Sequence, residues 1–146
     1  MAFDGFVISN IISELNKQII GGRIYKIYQP EADEITLVIK KERLTTRLHL
    51  SASASLPLVY LSKEGKANMQ APNFCMLLRK HISSGRIISI TQPDFERIIE
   101  IKIEHLDELG DVCQKRLIVE IMGKHSNIIF VNNDDVILDS IKHISA

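Results

Sequence analysis

The sequence predicts an α+β domain made of two similar halves, each a helix followed by a meander of strands. Three observations carry that prediction. Gly22-Arg23-Ile24 with Gln29-Pro30 returns as Gly85-Arg86-Ile87 with Gln92-Pro93, the second copy 63 residues after the first. Each copy follows a run with helical apolar spacing and precedes runs that alternate with period two. The chain has 146 residues, 45% of them apolar and 25% charged, with no long apolar segment. That is the size and balance of one globular domain able to bury a core without disulfides or metals.

The first helix is read from Ile8, Ile11, Ile12, Leu15 and Ile19, which share one face, while Ser13, Glu14, Asn16 and Lys17 take the other. Asp4 stands where an N-cap belongs and Gly21-Gly22 where a helix stops. Strands are expected over Arg23–Tyr28, Glu34–Lys40, Thr45–Leu50 and Leu58–Leu61, parted by turn residues. The polar stretch Ser62–Ala71 reads as a surface loop joining the halves. Pro72 suits the first turn of a second helix with Phe74, Leu77, Leu78 and Ile82 inward, ending near Ser84-Gly85. Further strands are expected over Arg86–Ile90, Arg97–Ile103, Lys115–Met122, Ser126–Val131 and Val136–Leu138. Neither meander can hide both faces, so the expected architecture is a β-sandwich, one sheet on the other, with the helices flanking.

Composition excludes several classes. The N-terminus lacks the pattern of a secretory signal, and no run reaches the roughly 18 apolar residues of a membrane span, so a cytoplasmic chain with no membrane partner is expected. Cys75 and Cys113 lack ligand-spaced Cys or His neighbours, so neither a disulfide framework nor a metal or cofactor is expected. Formal net charge is zero, so any affinity for phosphate must come from a local cluster and not from the field of the whole domain.

The segments Ala71-Pro72-Asn73-Phe74-Cys75-Met76-Leu77-Leu78-Arg79-Lys80-His81 and Glu120-Ile121-Met122-Gly123-Lys124-His125-Ser126-Asn127-Ile128-Ile129, with Phe3-Asp4-Gly5 and the two Gly-Arg-Ile motifs, form a specific combination. They resemble the N-terminal domain of the NFACT family, which takes in RqcH-like, NEMF-like and fibronectin-binding protein A-like factors. The likeness spans residues 1–146 and implies the N-terminal fragment of a longer multidomain protein. It implies a role in ribosome-associated quality control: binding the large ribosomal subunit that carries a stalled peptidyl-tRNA, and recruiting charged tRNA, alanyl in bacteria, for untemplated C-terminal tailing. The family's older name implies a rival role, a surface adhesin for fibronectin or fibrinogen.

The resemblance also implies a fold similar to the N-terminal domain of formamidopyrimidine-type DNA glycosylases. Those enzymes use a proline after the initiator methionine as nucleophile, with a glutamate beside it; here Ala2 and Phe3 stand there. Without that amine and acid no base excision is expected, and no catalytic residue is assigned.

The resemblance points to Glu96-Arg97, where the family has an Asp-Arg pair implicated in tRNA binding, and to Asp4, matching an N-terminal acid implicated in tailing. Read unaided, Glu96 and Arg97 are equally a strand-edge ion pair, and Asp4 a helix cap. Arg97 is the stronger candidate, because a guanidinium fork grips phosphate or a base edge in two places. Arg79 and Lys80 are candidate phosphate contacts, although cations also suit the last turn of a helix. Lys124, His125 and Asn127 offer donors to phosphate or ribose, and equally read as parts of a hairpin turn.

Overall fold

The computed structural model describes residues 5–53, 58–62, 71–93 and 97–143. Within them the chain runs α1 (Gly5–Ile19), β1 (Arg23–Glu31), β2 (Glu34–Lys41), β3 (Leu44–Ser51), β4 (Leu58–Ser62), α2 (Asn73–Ile82), β5 (Arg86–Thr91), β6 (Ile98–Leu106), β7 (Val112–Glu120), a 3-10 turn (Gly123–His125), β8 (Asn127–Asn132) and β9 (Ile137–Ser140). Every expected helix and strand is present. Asp4, the expected cap of α1, and the expected joining loop over residues 63–70 lie outside the described residues.

The stacked pair of sheets is corrected to one sheet. All nine strands form a single antiparallel order, β4-β3-β2-β1-β5-β6-β7-β8-β9. The halves meet edge to edge where Arg23 of β1 is in register with Arg86 of β5. Ile24 N donates to Gly85 O at 2.8 Å and Ile87 N to Gly22 O at 2.9 Å. Gly21 N reaches Ile87 O and Ser84 N reaches Ile24 O, both at 2.8 Å. Each meander alone would leave the edge of its first strand open; at the Arg23–Arg86 end these four backbone bonds join the two edges.

The helices cross over the junction. α1 packs on β5 and β6 of the second half, and α2 packs on β1 of the first half and β6 of its own. Asn16 Nδ2 of α1 donates to Ile90 O at 3.1 Å, and Arg79 Nε of α2 donates to Ile27 O at 2.8 Å. One core runs beneath both helices: Ile8, Leu15 and Ile19 from α1, Phe74, Cys75, Leu78 and Ile82 from α2, and inward residues of the sheet such as Leu37, Ile101, Leu117 and Phe130. Burial among apolar neighbours pushes the Cys75 thiol pKa up, against the lowering influence of Arg79.

Two bulges set the inward face. Pairing shifts between Ile24 and Lys26 in β1, and between Ile87 and Ser89 in β5. An extra residue in a strand reverses the alternation, which is why Ile24 and Ile27, and likewise Ile87 and Ile90, are all buried at a spacing of three. A second shift between Tyr28 and Glu31 lets β1 run on through Pro30, where the sequence suggests a turn. Helix α2 ends at Ile82, near Ser84-Gly85 as expected, and Ser84, with φ of 65°, takes the left-handed position. Gly85 is instead kept for close packing under the sheet.

Candidate nucleic-acid interface

Arg97 enters β6 as an exposed residue. Its carbonyl accepts from Ile121 N at 2.9 Å, which holds it beside the end of β7. Among the described residues its guanidinium makes no hydrogen bond or ion pair. Glu96 and Asp4 lie outside the described residues.

The chain leaves β7 at Glu120 and turns through Gly123-Lys124-His125. Gly123 takes φ of 59°, where a side chain would be strained. Ser126, fully buried, accepts from Met122 N through Oγ at 2.8 Å and donates its own N–H to Gly123 O at 3.1 Å. The turn is thus closed from beneath, and Lys124 and His125 stand exposed above it. Asn127 is used differently. It is buried; its Oδ1 accepts from Ile128 N at 2.9 Å and Lys142 N at 3.0 Å, and its Nδ2 donates to Lys142 O at 3.2 Å. That amide ties the segment after β9 to β8 and has little left to offer a ligand.

The last strand position before the turn is Glu120, in register with Ile98 and Asn127. Burial raises its carboxyl pKa above the usual carboxylate range. The strand end therefore carries an exposed guanidinium, a half-buried acid and two exposed turn cations or donors. Glu120 had no assigned role in the sequence, because nothing linear shows that β6 and β7 bring it next to Arg97.

The structure does not bring Arg79 or Lys80 to this end. Arg79 is half-buried, bonded to Ile27 O, its guanidinium 5.9 Å from the Tyr28 ring, so it secures α2 on β1. Lys80 is exposed and lines a cavity of about 550 Å³ with His81, His105 and Lys115. His105 lies seven residues beyond Ile98, so by strand rise that cavity is about 23 Å from the start of β6, which Arg97 precedes.

At the cavity wall, Lys115 Nζ lies 3.0 Å from His105 Nε2, and Cys113 Sγ, which does not line the cavity, is 3.2 Å from the same nitrogen. His105 Nδ1 is 3.2 Å from Leu106 O. The arrangement suits a neutral imidazole that donates from Nδ1 to the carbonyl and accepts from the lysine at Nε2. Burial, and then the Lys115 charge, hold the His105 pKa below its ordinary value; burial, Lys115 and Lys80 do the same for His81. The unfolded chain therefore takes up these protons first. Stability is expected to be flat above about pH 6.5 and to fall as pH drops below it, levelling once the folded-state values are passed. Urea midpoints in steps across that range check the slope, and His105→Gln should flatten part of it.

A further polar group went unread. Thr36 Oγ1 is 3.1 Å from His49 Nδ1, and His49 Nε2 is 2.7 Å from Ser62 Oγ, with the imidazole stacked on Tyr60 at 4.5 Å. The three contributors sit on different strands, so no spacing in the chain announces them. Among the described residues no cluster of His, Cys, Asp and Glu could hold a metal ion, and no helix is long and apolar enough to cross a membrane.

Residues 4–146 match the family described as NFACT N-terminal and middle domains. The chain belongs to the NFACT family. It is 44% identical over 146 residues to the Rqc2 homolog RqcH of Streptococcus suis, covering 99% of this chain and 26% of that protein. It is 42% identical over 147 residues to the Rqc2 homolog RqcH of Bacillus subtilis, with the same coverage. The crystal structure of the N-terminal domain of fibronectin-binding protein PavA from Streptococcus pneumoniae superimposes with a TM-score of 0.95 at 40% identity, over 99% of this chain and 56% of that one. The chain thus spans about a quarter of the length of these curated relatives.

In this NFACT domain the end of the sheet at Arg97 has the chemistry of a holding site. It presents a bidentate donor and an adjacent cationic turn on a backbone fixed by Ile121, Ser126 and Asn127. Ser126 beneath the turn is buried, and Lys124 and His125 are exposed.

Proposed function

We infer that this NFACT domain is the RNA-holding module of a cytoplasmic ribosome quality-control factor. In this reading the longer protein binds large ribosomal subunits that carry peptidyl-tRNA, and brings in charged tRNA, alanyl in bacterial members, for untemplated tailing. Arg97 grips the tRNA, Glu96 and Asp4 complete the contact with their carboxylates, and Lys124 and His125 add phosphate donors. The chain itself binds and performs no catalytic step. The observation that carries the reading is the exposed Arg97 guanidinium, without a hydrogen bond or ion pair among the described residues, near the exposed Lys124–His125 turn, in a chain 44% identical to a protein named Rqc2 homolog RqcH. The scaffold is read as two pseudo-repeated halves of glycosylase-like fold, a view supported by hydrogen bonds that recur 63 residues apart, Asn16 to Ile90 and Arg79 to Ile27.

Arg97→Ala in the full-length protein is expected to weaken tRNA binding by about 1–3 kcal/mol, roughly 5- to 150-fold, the loss typical of a bidentate arginine. Filter binding with alanyl-tRNA, beside co-sedimentation with large subunits, measures it. Unchanged affinity on both counts ends this reading.

The likeness to a protein named for fibronectin binding favours a second reading, a surface adhesin. Immobilised fibronectin and cell-surface fractionation separate the two: the adhesin requires saturable fibronectin binding and material outside the cell.

A further inference from the structure

A row of in-register residues crosses six strands where the halves join: Thr45, Lys40, Arg23, Arg86, Glu104 and Gln114. Three successive members, Lys40, Arg23 and Arg86, are cations, and all three are exposed. Like charges directly opposite one another in a sheet repel, and here two such pairs adjoin. Among the described residues no carboxylate forms an ion pair with any of them. Among the described residues Arg23 uses one donor on Ser84 O at 3.1 Å and Arg86 uses none, and the Lys40 ammonium is held 3.6 Å from the centre of the Tyr25 ring.

The fold forces these charges together. The Ile24–Gly85 and Ile87–Gly22 hydrogen bonds bracket the Arg23–Arg86 pair, so neither arginine can withdraw without opening the sheet. Two clefts flank the row. One of about 320 Å³ takes in Arg23 and Arg86, another of about 370 Å³ takes in Arg23, Lys40 and Lys41, and Arg23 and Ser84 border both. Lys40 and Arg86, the outer cations of the row, are two interstrand spacings apart, about 10 Å. With the reach of their side chains, such cations match consecutive phosphates of an extended backbone better than they match one compact anion.

We propose that the row Lys40–Arg23–Arg86 is a second RNA contact, a site for the phosphodiester backbone distinct from the Arg97 end. The proposal rests on the reading of the domain as an RNA-holding module. Glu104, next to Arg86 in the row, lies six residues along β6 from Ile98, about 20 Å away, so an RNA that touches both ends of the strand is held at two points. Two-point contact to phosphates sets orientation and carries no sequence preference.

The test uses the full-length protein with Arg23→Gln and Arg86→Gln together, and separately Lys40→Gln, titrated with potassium chloride against bulk tRNA and against poly(U). The double variant should lower the slope of log affinity against log salt by about 1.4–1.8, and Lys40→Gln by about half that, equally for both RNAs, since each lost phosphate contact removes roughly 0.7–0.9. Arg23→Lys with Arg86→Lys should keep the slope. Thermal melting should show the Gln variants as stable as the parent, because repulsion is relieved; if the double variant unfolds, Lys40→Gln alone decides. An unaltered slope, or a loss seen with polyglutamate and not with RNA, overturns the proposal, the latter in favour of an acidic protein partner. Failure of the unsubstituted protein to bind RNA overturns the parent reading too, whereas a loss on Arg97→Ala with the Gln variants unaffected overturns this one alone.

Discussion

Alanine at Gly85 is expected to destabilise the domain by about 3 kcal/mol, the upper part of the range for forcing extra volume into a packed interior. A Cβ there would sit 2.7 Å from Ile103 Cγ2 and 2.8 Å from Ile82 O. Ile103 is fully buried and cannot swing away, and Ile82 O already accepts from Gly85 N at 2.9 Å as the end of α2. The strain would pass to the β1–β5 junction, because Gly85 O takes the Ile24 N–H. Gly22 faces the same arrangement, with Ile39 Cγ2 at 2.6 Å and Ile19 O at 3.0 Å, so Gly22→Ala should cost a similar amount. Neither glycine has a positive φ, so the expense is one of contact and not of backbone conformation. Urea denaturation of both variants measures it; a loss below about 1 kcal/mol at both sites would show that the junction yields more readily than its geometry implies.

Removing the Phe130 ring should cost more. Phe130 is fully buried in β8, opposite Leu117 of β7 and Asp139 of β9, and its ring lies 5.9 Å from that of His81. Phe130→Ala loses transfer free energy and leaves a cavity, together about 3–5 kcal/mol, which for a domain of this size lowers the melting temperature by roughly 10 °C. Phe130→Leu fills most of the space and should cost well under half as much. The same change reaches the cavity beyond. Burial is the first cause of the low His81 pKa, so admitting water next to its ring should move that value back up toward 6.5, readable from imidazole proton shifts. A stability loss without movement at His81 would separate the ring from the histidine.

Elements were legible from the chain because each rests on a local pattern. Ile8, Leu15 and Ile19 fall on one helical face, and Ile99, Ile101 and Ile103 on one strand face, and all six are fully or almost fully buried. The turn at Gly123 followed from a residue type that accepts positive φ, as Gly123 does with φ of 59°; Asn132 caps the next turn by accepting from Asp134 N and Val136 N. The candidate site was only half legible. Arg97, Lys124 and His125 do stand outward, but Arg79 is engaged with Ile27 O and Asn127 with Lys142. An exposed donor and a buried clamp carry the same letter in a sequence.

By itself the chain determined the two helices and nine strands of the described residues, the paired Gly-Arg-Ile segments and membership of the NFACT family, since all of these depend on neighbours within one or two turns or on matched motifs. Only the tertiary structure decided that the meanders join into one sheet, that α1 packs on the second half while α2 spans β1 and β6, and that Arg23 and Arg86 end up face to face. The reason is physical: satisfying an open strand edge and covering an apolar face are conditions on distant segments, and many pairings meet them equally well until backbone bonds such as Ile24 to Gly85 select one.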